Sequence, residues 1–171
     1  LAGAGDRITR ELGEVDWLVN ECGVPTLKYY MFYKTLDLSG SADSGGYLIN
    51  KTSLDFGFVY RLMKTIAGVN EKFEGAGPAS LSVHCENPEI IPDTMDEVKA
   101  DPSGNLTRDY SDSRPAWLEE LAIREVGTMG KYTDCPVNLL HLTSIEAIEA
   151  AKAEFKDNPQ LKVLLESTLH H

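Results

Sequence analysis

Apolar side chains recur along this chain at two spacings, one near 3.6 residues and one in short runs. From Asp6 to Glu21, the residues Ile8, Leu12, Val15, Leu18 and Val19 fall at helical spacing and Gly23 follows as a stop, which predicts an amphipathic helix. Pro25 to Tyr33 is aromatic-rich with no breaker after its first residue and reads as a strand, ahead of a Ser-, Gly- and Asp-rich loop from Leu36 to Gly46. That loop is long enough to be functional. Over Thr52 to Ala67, Leu54, Phe58, Val59, Leu62, Met63 and Ile66 share one helical face, with a Gly-Pro loop near Gly75 to Pro78 behind them. Ala79 to Cys85 is a short strand, and Asp93 to Lys99 a helical turn or two. Ser113 is placed as the cap of a helix with Pro115 in its first turn, running through Leu118, Leu121, Ala122 and Val126 to about Met129. Pro136 to Leu142 is an apolar strand, Ser144 caps a helix carrying Ile145, Ile148, Ala151 and Phe155, and Leu161 to Leu165 is a last strand. Ala147 stands where a capping box would need Glu or Gln, so that cap rests on Ser144 alone.

Helices and strands therefore alternate, which predicts an α/β fold of parallel strands joined by right-handed crossovers, a doubly wound sheet or a β/α barrel. About four βα units fit, half of an eight-fold barrel, within one domain over residues 1–171. In either architecture the reactive residues lie at the carboxyl ends of strands and in the loops after them.

Composition narrows the partners. With 42% hydrophobic residues in 171, a single core is feasible. The longest apolar runs, such as Val137 to Leu140, fall far short of the roughly 20 residues of a membrane span, and no charged-then-apolar leader opens the sequence. A net charge of −11 with scattered Lys and Arg argues against nucleic acid. Cys22, Cys85 and Cys135 are odd in number and without a C-x-x-C, which points away from disulfides and toward a reducing cytoplasm. Two sequons, at Asn50 and Asn105, carry no weight without a secretion signal. The abrupt ends, Leu1 and Leu169-His170-His171, lead us to expect a fragment.

Three strands each hold one metal-competent side chain at or near the end: Lys28, His84 and His141. A lone histidine is most often a satisfied structural residue, but three such residues on successive strands are harder to dismiss. A lysine in an apolar strand is costly to bury as an ammonium, so Lys28 is expected to snorkel, pair or be chemically altered. Cys85 should face away from His84 into the core. Glu86 and Asn87 either orient His84 or cap the next helix. Arg114 and Glu119 read as structural, and the acidic pair Glu119-Glu120, like the stretch Asp93 to Glu97, as solvated helix faces.

The ordered motifs Gly-Val-x-x-x-Lys-x-x-Met-x-Tyr (Gly23 to Tyr33), Val-His-x-Glu-Asn (Val83 to Asn87), Arg-Pro with a following Glu (Arg114 to Glu119) and Leu-His-x-x-Ser (Leu140 to Ser144) resemble the central part of the hydantoinase, dihydropyrimidinase, allantoinase and dihydroorotase group of amidohydrolases. The interval from Lys28 to His84 is longer than usual for that group, which reads as a loop insertion. The resemblance implies a (β/α)₈ barrel in which Lys28, carboxylated by CO₂, bridges two divalent metals, usually zinc, and His84 and His141 ligate the second. It implies a metal-bound hydroxide that opens the C–N bond of a cyclic amide. Tyr33 matches the tyrosine that steadies the oxyanion in hydantoinases and dihydropyrimidinases, while Glu86, Asn87 and Ser144 would orient the ligands. The closing Glu166 to His171 is similar to the end of a strand in dihydroorotases and allantoinases, and tilts the other way. The group also needs a His-x-His pair on its first strand and an Asp on its last, neither of which stands in this chain. The 171 residues alone are therefore expected to be inactive, and open strand edges to favour a homo-oligomer. The competing readings are a dihydroorotase or allantoinase, a non-catalytic dihydropyrimidinase-like scaffold and, last, an unrelated flavodoxin-like domain.

Overall fold

The computed structural model describes residues 4–31, 56–72 and 77–169. The elements in chain order are α1 (Ala4–Gly13), α2 (Val15–Asn20), β1 (Thr26–Tyr30), α3 (Phe56–Asn70), β2 (Ser80–His84), α4 (Ile91–Ala100), α5 (Leu106–Asp112), α6 (Ala116–Thr133), β3 (Val137–Leu139), α7 (Ile145–Asp157) and β4 (Val163–Leu165). The four strands form one sheet in the order β1-β2-β3-β4. All three pairings are parallel: Lys28 faces Ser82, Tyr30 faces His84, Val83 faces Leu139, and Leu139 faces Leu165. Sequential parallel strands joined by helices are the repeating unit of a β/α barrel, here about half of one.

A strand's side chains alternate between faces. Tyr29, Leu81, Val83, Val137 and Leu139 are buried in one hydrophobic core with Val59, Met63, Ile66, Ile123, Val126 and Ala151 from α3, α6 and α7. The helix layer thus takes the odd-numbered positions of the sheet. Even-numbered positions turn the other way, toward what is the barrel interior, and carry Thr26, Lys28, Tyr30, Ser80, Ser82, His84, Asn138 and Leu164. This face is polar: Asn138 Nδ2 donates to Ser82 Oγ at 3.3 Å, and the Thr26 and Ser80 hydroxyls lie 3.5 Å apart. Helices α6 and α7 pack closely because their facing positions are small. Ala122, Ala147, Ala150 and Ala151 are buried, and a Cβ on Gly127 would come within 2.8 Å of Glu154 Cγ.

Several boundaries differ from the sequence expectation. The single helix expected over Asp6 to Glu21 is two, broken at Glu14 just after Gly13, although Leu18 N–H still reaches Glu14 C=O at 2.9 Å. Ser113 does not cap α6. It ends α5, an element absent from the sequence reading, and its hydroxyl donates to Tyr110 C=O at 2.7 Å. Pro115 occupies the cap of α6 instead, with an extended backbone and no side-chain bond to the first turn. Asn105, seen in the sequence only as part of a sequon, starts α5, its Oδ1 accepting from Thr107 and Arg108 N–H. The Ser144 cap does form, with Ala147 N–H donating to Ser144 Oγ at 3.0 Å. The loop from Leu36 to Gly46 and most of the expected insertion lie outside the described residues, as do Tyr33, His170 and His171.

The cysteines give a first expected result. Cys22 is exposed, whereas Cys85 and Cys135 are buried. Burial, reinforced by the Glu119 and Glu125 charges, pushes the Cys85 thiol far up, and burial pushes Cys135 up to about 12. The thiolate is the reactive form. Iodoacetamide should therefore modify one cysteine, Cys22, in the folded chain and all three in denaturant, as read by peptide mass analysis. Rapid native labelling of Cys85 would contradict this packing.

Candidate active site

His84 is the last residue of β2, and its even position puts the imidazole on the polar face beside Tyr30, with ring centroids 4.4 Å apart. His141 lies two residues beyond β3. By plain alternation it would follow Leu139 into the helix layer, but its backbone takes the left-handed conformation, φ +40°. That conformation is uncommon for a residue with a side chain, and it re-aims the ring. The backbone is fixed on both sides, by Leu140 N–H to Val83 C=O at 3.2 Å and by Leu142 N–H to Glu166 C=O at 2.7 Å. As a result His84 Nδ1 and His141 Nε2 come 3.0 Å apart, their rings near edge-on with centroids 4.7 Å apart.

His84 Nε2, on the other side of its ring, meets Glu86 Oε2 at 3.3 Å, and the same oxygen receives Arg114 Nη1 at 2.9 Å. All three side chains are largely enclosed, at 19%, 16% and 26% exposure. Burial pushes the Glu86 carboxyl up, but the His84 hydrogen bond and the Arg114 charge outweigh it, so its pKa ends below the ordinary value. Burial lowers the His141 pKa, and the neighbouring His84 and Lys28 charges lower it further. Lys28 sits on the same face as His84, one layer deeper at the level of Ser82. The burial argument made for it from sequence does not hold in this chain, because Lys28 is exposed on the open interior face.

His84, Glu86, Arg114 and His141, but not Lys28, line a cleft of about 700 Å³ with Cys85, Tyr110, Ser111, Glu119, Thr143 and Ser144. Asn87 does not cap α4, whose N-cap Ile90 carries no side-chain bond; its Oδ1 accepts from Glu89 and Ile90 N–H in the turn ahead of that helix. Glu119 is not a solvated residue. Its Oε1 accepts from Thr143 N–H at 3.1 Å, and its Oε2 from the Thr143 and Ser144 hydroxyls at 2.9 and 2.8 Å. Glu120 does pair outward, with Arg124 at 2.9 Å. No local pattern marks these long-range partners beyond the Arg-Pro and Glu motif that holds Arg114 and Glu119.

A pH dependence follows. His141 has a folded pKa below its ordinary 6.5, so below that pH the unfolded chain binds more protons than the folded one. The stability of the neutral ring is complete above about 6.5 and falls as pH drops through the folded pKa. Glu86, also lowered, adds to the loss at more acid pH. Urea midpoints should decline from pH 7 to pH 5, and His141→Asn should flatten that slope. A midpoint that rises toward pH 5 would contradict it.

No family model matches the sequence. A curated dihydroorotase from Methanothermobacter thermautotrophicus is 31% identical over 98 residues, 56% of this chain and 20% of that protein. An allantoinase from Salmonella gallinarum is 36% identical over 82 residues, covering 46% of this chain and 18% of the relative. Among solved structures, dihydropyrimidinase from Brevibacillus agri superposes with a TM-score of 0.69 at 17% identity, over 92% of this chain and 29% of that one. In sequence the chain is thus similar to parts of a dihydroorotase and an allantoinase, and in fold to part of dihydropyrimidinase and hydantoinase structures. It spans about a fifth of the length of the dihydroorotase and under a third of the dihydropyrimidinase.

Proposed function

We propose that this chain, a single partial-barrel domain over residues 1–171, is the metal-binding half of a cyclic amidohydrolase that opens a ring amide by adding water across its C–N bond. The observation that carries this reading is the approach of His84 Nδ1 and His141 Nε2 to 3.0 Å on the interior face that also bears Lys28. Two nitrogens each about 2.0–2.1 Å from one tetrahedral zinc would stand roughly 3.4 Å apart, so a small opening of the pair admits the ion. Among the described residues no three His, Cys, Asp or Glu side chains cluster for a metal, and a further oxygen donor would complete the site. Lys28, made a carbamate by CO₂, is the residue on the right face to supply it. The donor set therefore fits zinc. When bound, paired divalent ions would lower the pKa of water and polarise the amide carbonyl.

The protein's own side chains do the remaining work. His84 and His141 present their nitrogens to the site, while Glu86 fixes the His84 ring and Ser144 the loop after His141. Tyr33 is assigned the developing oxyanion, which favours hydantoin- or dihydropyrimidine-like rings. The dihydroorotase and allantoinase relatives favour dihydroorotate or allantoin. A cytoplasmic, homo-oligomeric enzyme acting on a small molecule, not on nucleic acid or a membrane, completes the proposal. No helix among the described residues is long and apolar enough to cross a membrane.

The test is a panel of dihydrouracil, hydantoin, allantoin and dihydroorotate, offered both to the 171-residue chain and to a protein carrying the full barrel. Turnover of one ring by the full barrel and none by the 171 residues is the expected result. Hydrolysis by the short chain would refute the division of labour, and no hydrolysis by either would favour a non-catalytic scaffold.

A further inference from the structure

We infer that the start of α6 is a clamp that orients both histidines, with Arg114 acting on His84 through Glu86 and Glu119 acting on His141 through Thr143 and Ser144. The inference rests on the proposed reading of the two histidines as ligands, and it makes Arg114 and Glu119 positioning residues. The two arms leave one short stretch of chain, residues 114–119. Between them, Leu118 C=O accepts Asn87 N–H at 3.3 Å, which ties the loop after β2 directly to the same turn.

On the first arm, Glu86 Oε2 accepts from Arg114 Nη1 and stands against His84 Nε2. A carboxylate facing Nε2 keeps the proton there, which leaves the Nδ1 lone pair turned toward His141 and the cleft. Arg114 anchors that carboxylate, so the tautomer of His84 depends on a residue that acts on it through Glu86. On the second arm, Glu119 takes three hydrogen bonds from Thr143 and Ser144, immediately after the left-handed His141. Holding the α7 terminus alone would not require them, because Ser144 Oγ already accepts from Ala147 N–H. Their effect falls on the strained corner that aims the His141 ring.

The experiment is ring nitrogen NMR of the metal-free 171-residue chain, with amide exchange measured alongside. In the wild type His84 should show one tautomer, protonated at Nε2. Arg114→Leu should give His84 a second tautomer, the His141 Nε2 signal moving with it across the 3.0 Å contact, while exchange at Leu142 and Thr143 stays at the wild-type rate. Glu119→Ala should leave the His84 tautomer intact, shift the His141 ring signals and speed exchange at Leu142 and Thr143 by about tenfold or more, the scale of one lost charge-assisted bond. Arg114→Gln serves in the same way should the leucine variant not fold. A wild-type tautomer in both Arg114 variants, a changed His84 tautomer in Glu119→Ala, or exchange at Leu142 and Thr143 sped equally by either arm, would overturn the clamp. The metal reading fails separately, through the metal content of the full barrel, so the two failures are distinguishable.

Discussion

Replacing Lys28 with alanine in a protein carrying the full barrel is expected to remove bound zinc and ring-opening activity together. On the proposed mechanism a carbamate on Lys28 would supply oxygen donors to the metal site, so alanine would remove them. Losing several kcal/mol of charge stabilisation with the ions corresponds to a fall in kcat/KM of about a thousandfold or more. The fold should survive, because Lys28 is exposed on the interior face and contributes no apolar contact to the core. An unchanged circular dichroism melt beside the lost activity is part of the expected result. A Lys28→Ala protein that keeps its zinc and more than about a tenth of its activity would break the assignment.

The largest effect on stability is expected at Leu81. It is fully buried in β2, the strand that pairs with both β1 and β3, and it faces Leu27 on one side and Val137 on the other. Leu81→Ala leaves a cavity between sheet and helices that close packing prevents from collapsing, at about 3 kcal/mol. For a chain of this length that lowers the melting temperature by roughly 10 °C. A shift under about 2 °C would mean that the sheet does not pack as described.

Much of this architecture was legible in the sequence, and the physical reasons are specific. The four strands and the helices α3 and α6 announce themselves because their apolar positions recur regularly, whereas α7 buries Ala147, Ala150 and Ala151 and leaves the expected Ile145 and Ile148 exposed. Phe58, Val59, Leu62, Met63 and Ile66 all reach the core, as their spacing required. The alternation of β2 correctly sends Cys85 inward and His84 to the opposite face. Element ends were harder to place, since they depend on bonds to distant residues. Ser113 looked like a helix cap because it precedes Pro115, yet its carbonyl is held by the Thr94 hydroxyl at 2.7 Å from α4, a contact no local pattern reveals. Helix α5 is short, buries none of its residues and so leaves no periodic signature, only the cap at Asn105.

For the site, residue type and order sufficed to single out Lys28, His84 and His141, but the way the chain brings the histidines together did not show. The left-handed turn at His141 breaks the strand period, and no glycine or asparagine marks it. The contacts of Arg114 and Glu119 did not show, and Glu119 was read as part of a solvated face, because their partners lie 28, 24 and 25 residues away. Electrostatic roles of this kind are set by tertiary contact, and local composition carries almost none of that information.

The most direct test of the central claim is elemental analysis of the full-barrel protein purified without added metal. About two zinc ions per chain, reduced in both His84→Ala and His141→Ala, is the result expected of a two-metal amidohydrolase. A wild-type protein free of divalent metal, and still free of it after incubation with zinc and bicarbonate, would contradict the assignment of Lys28, His84 and His141 as its ligands.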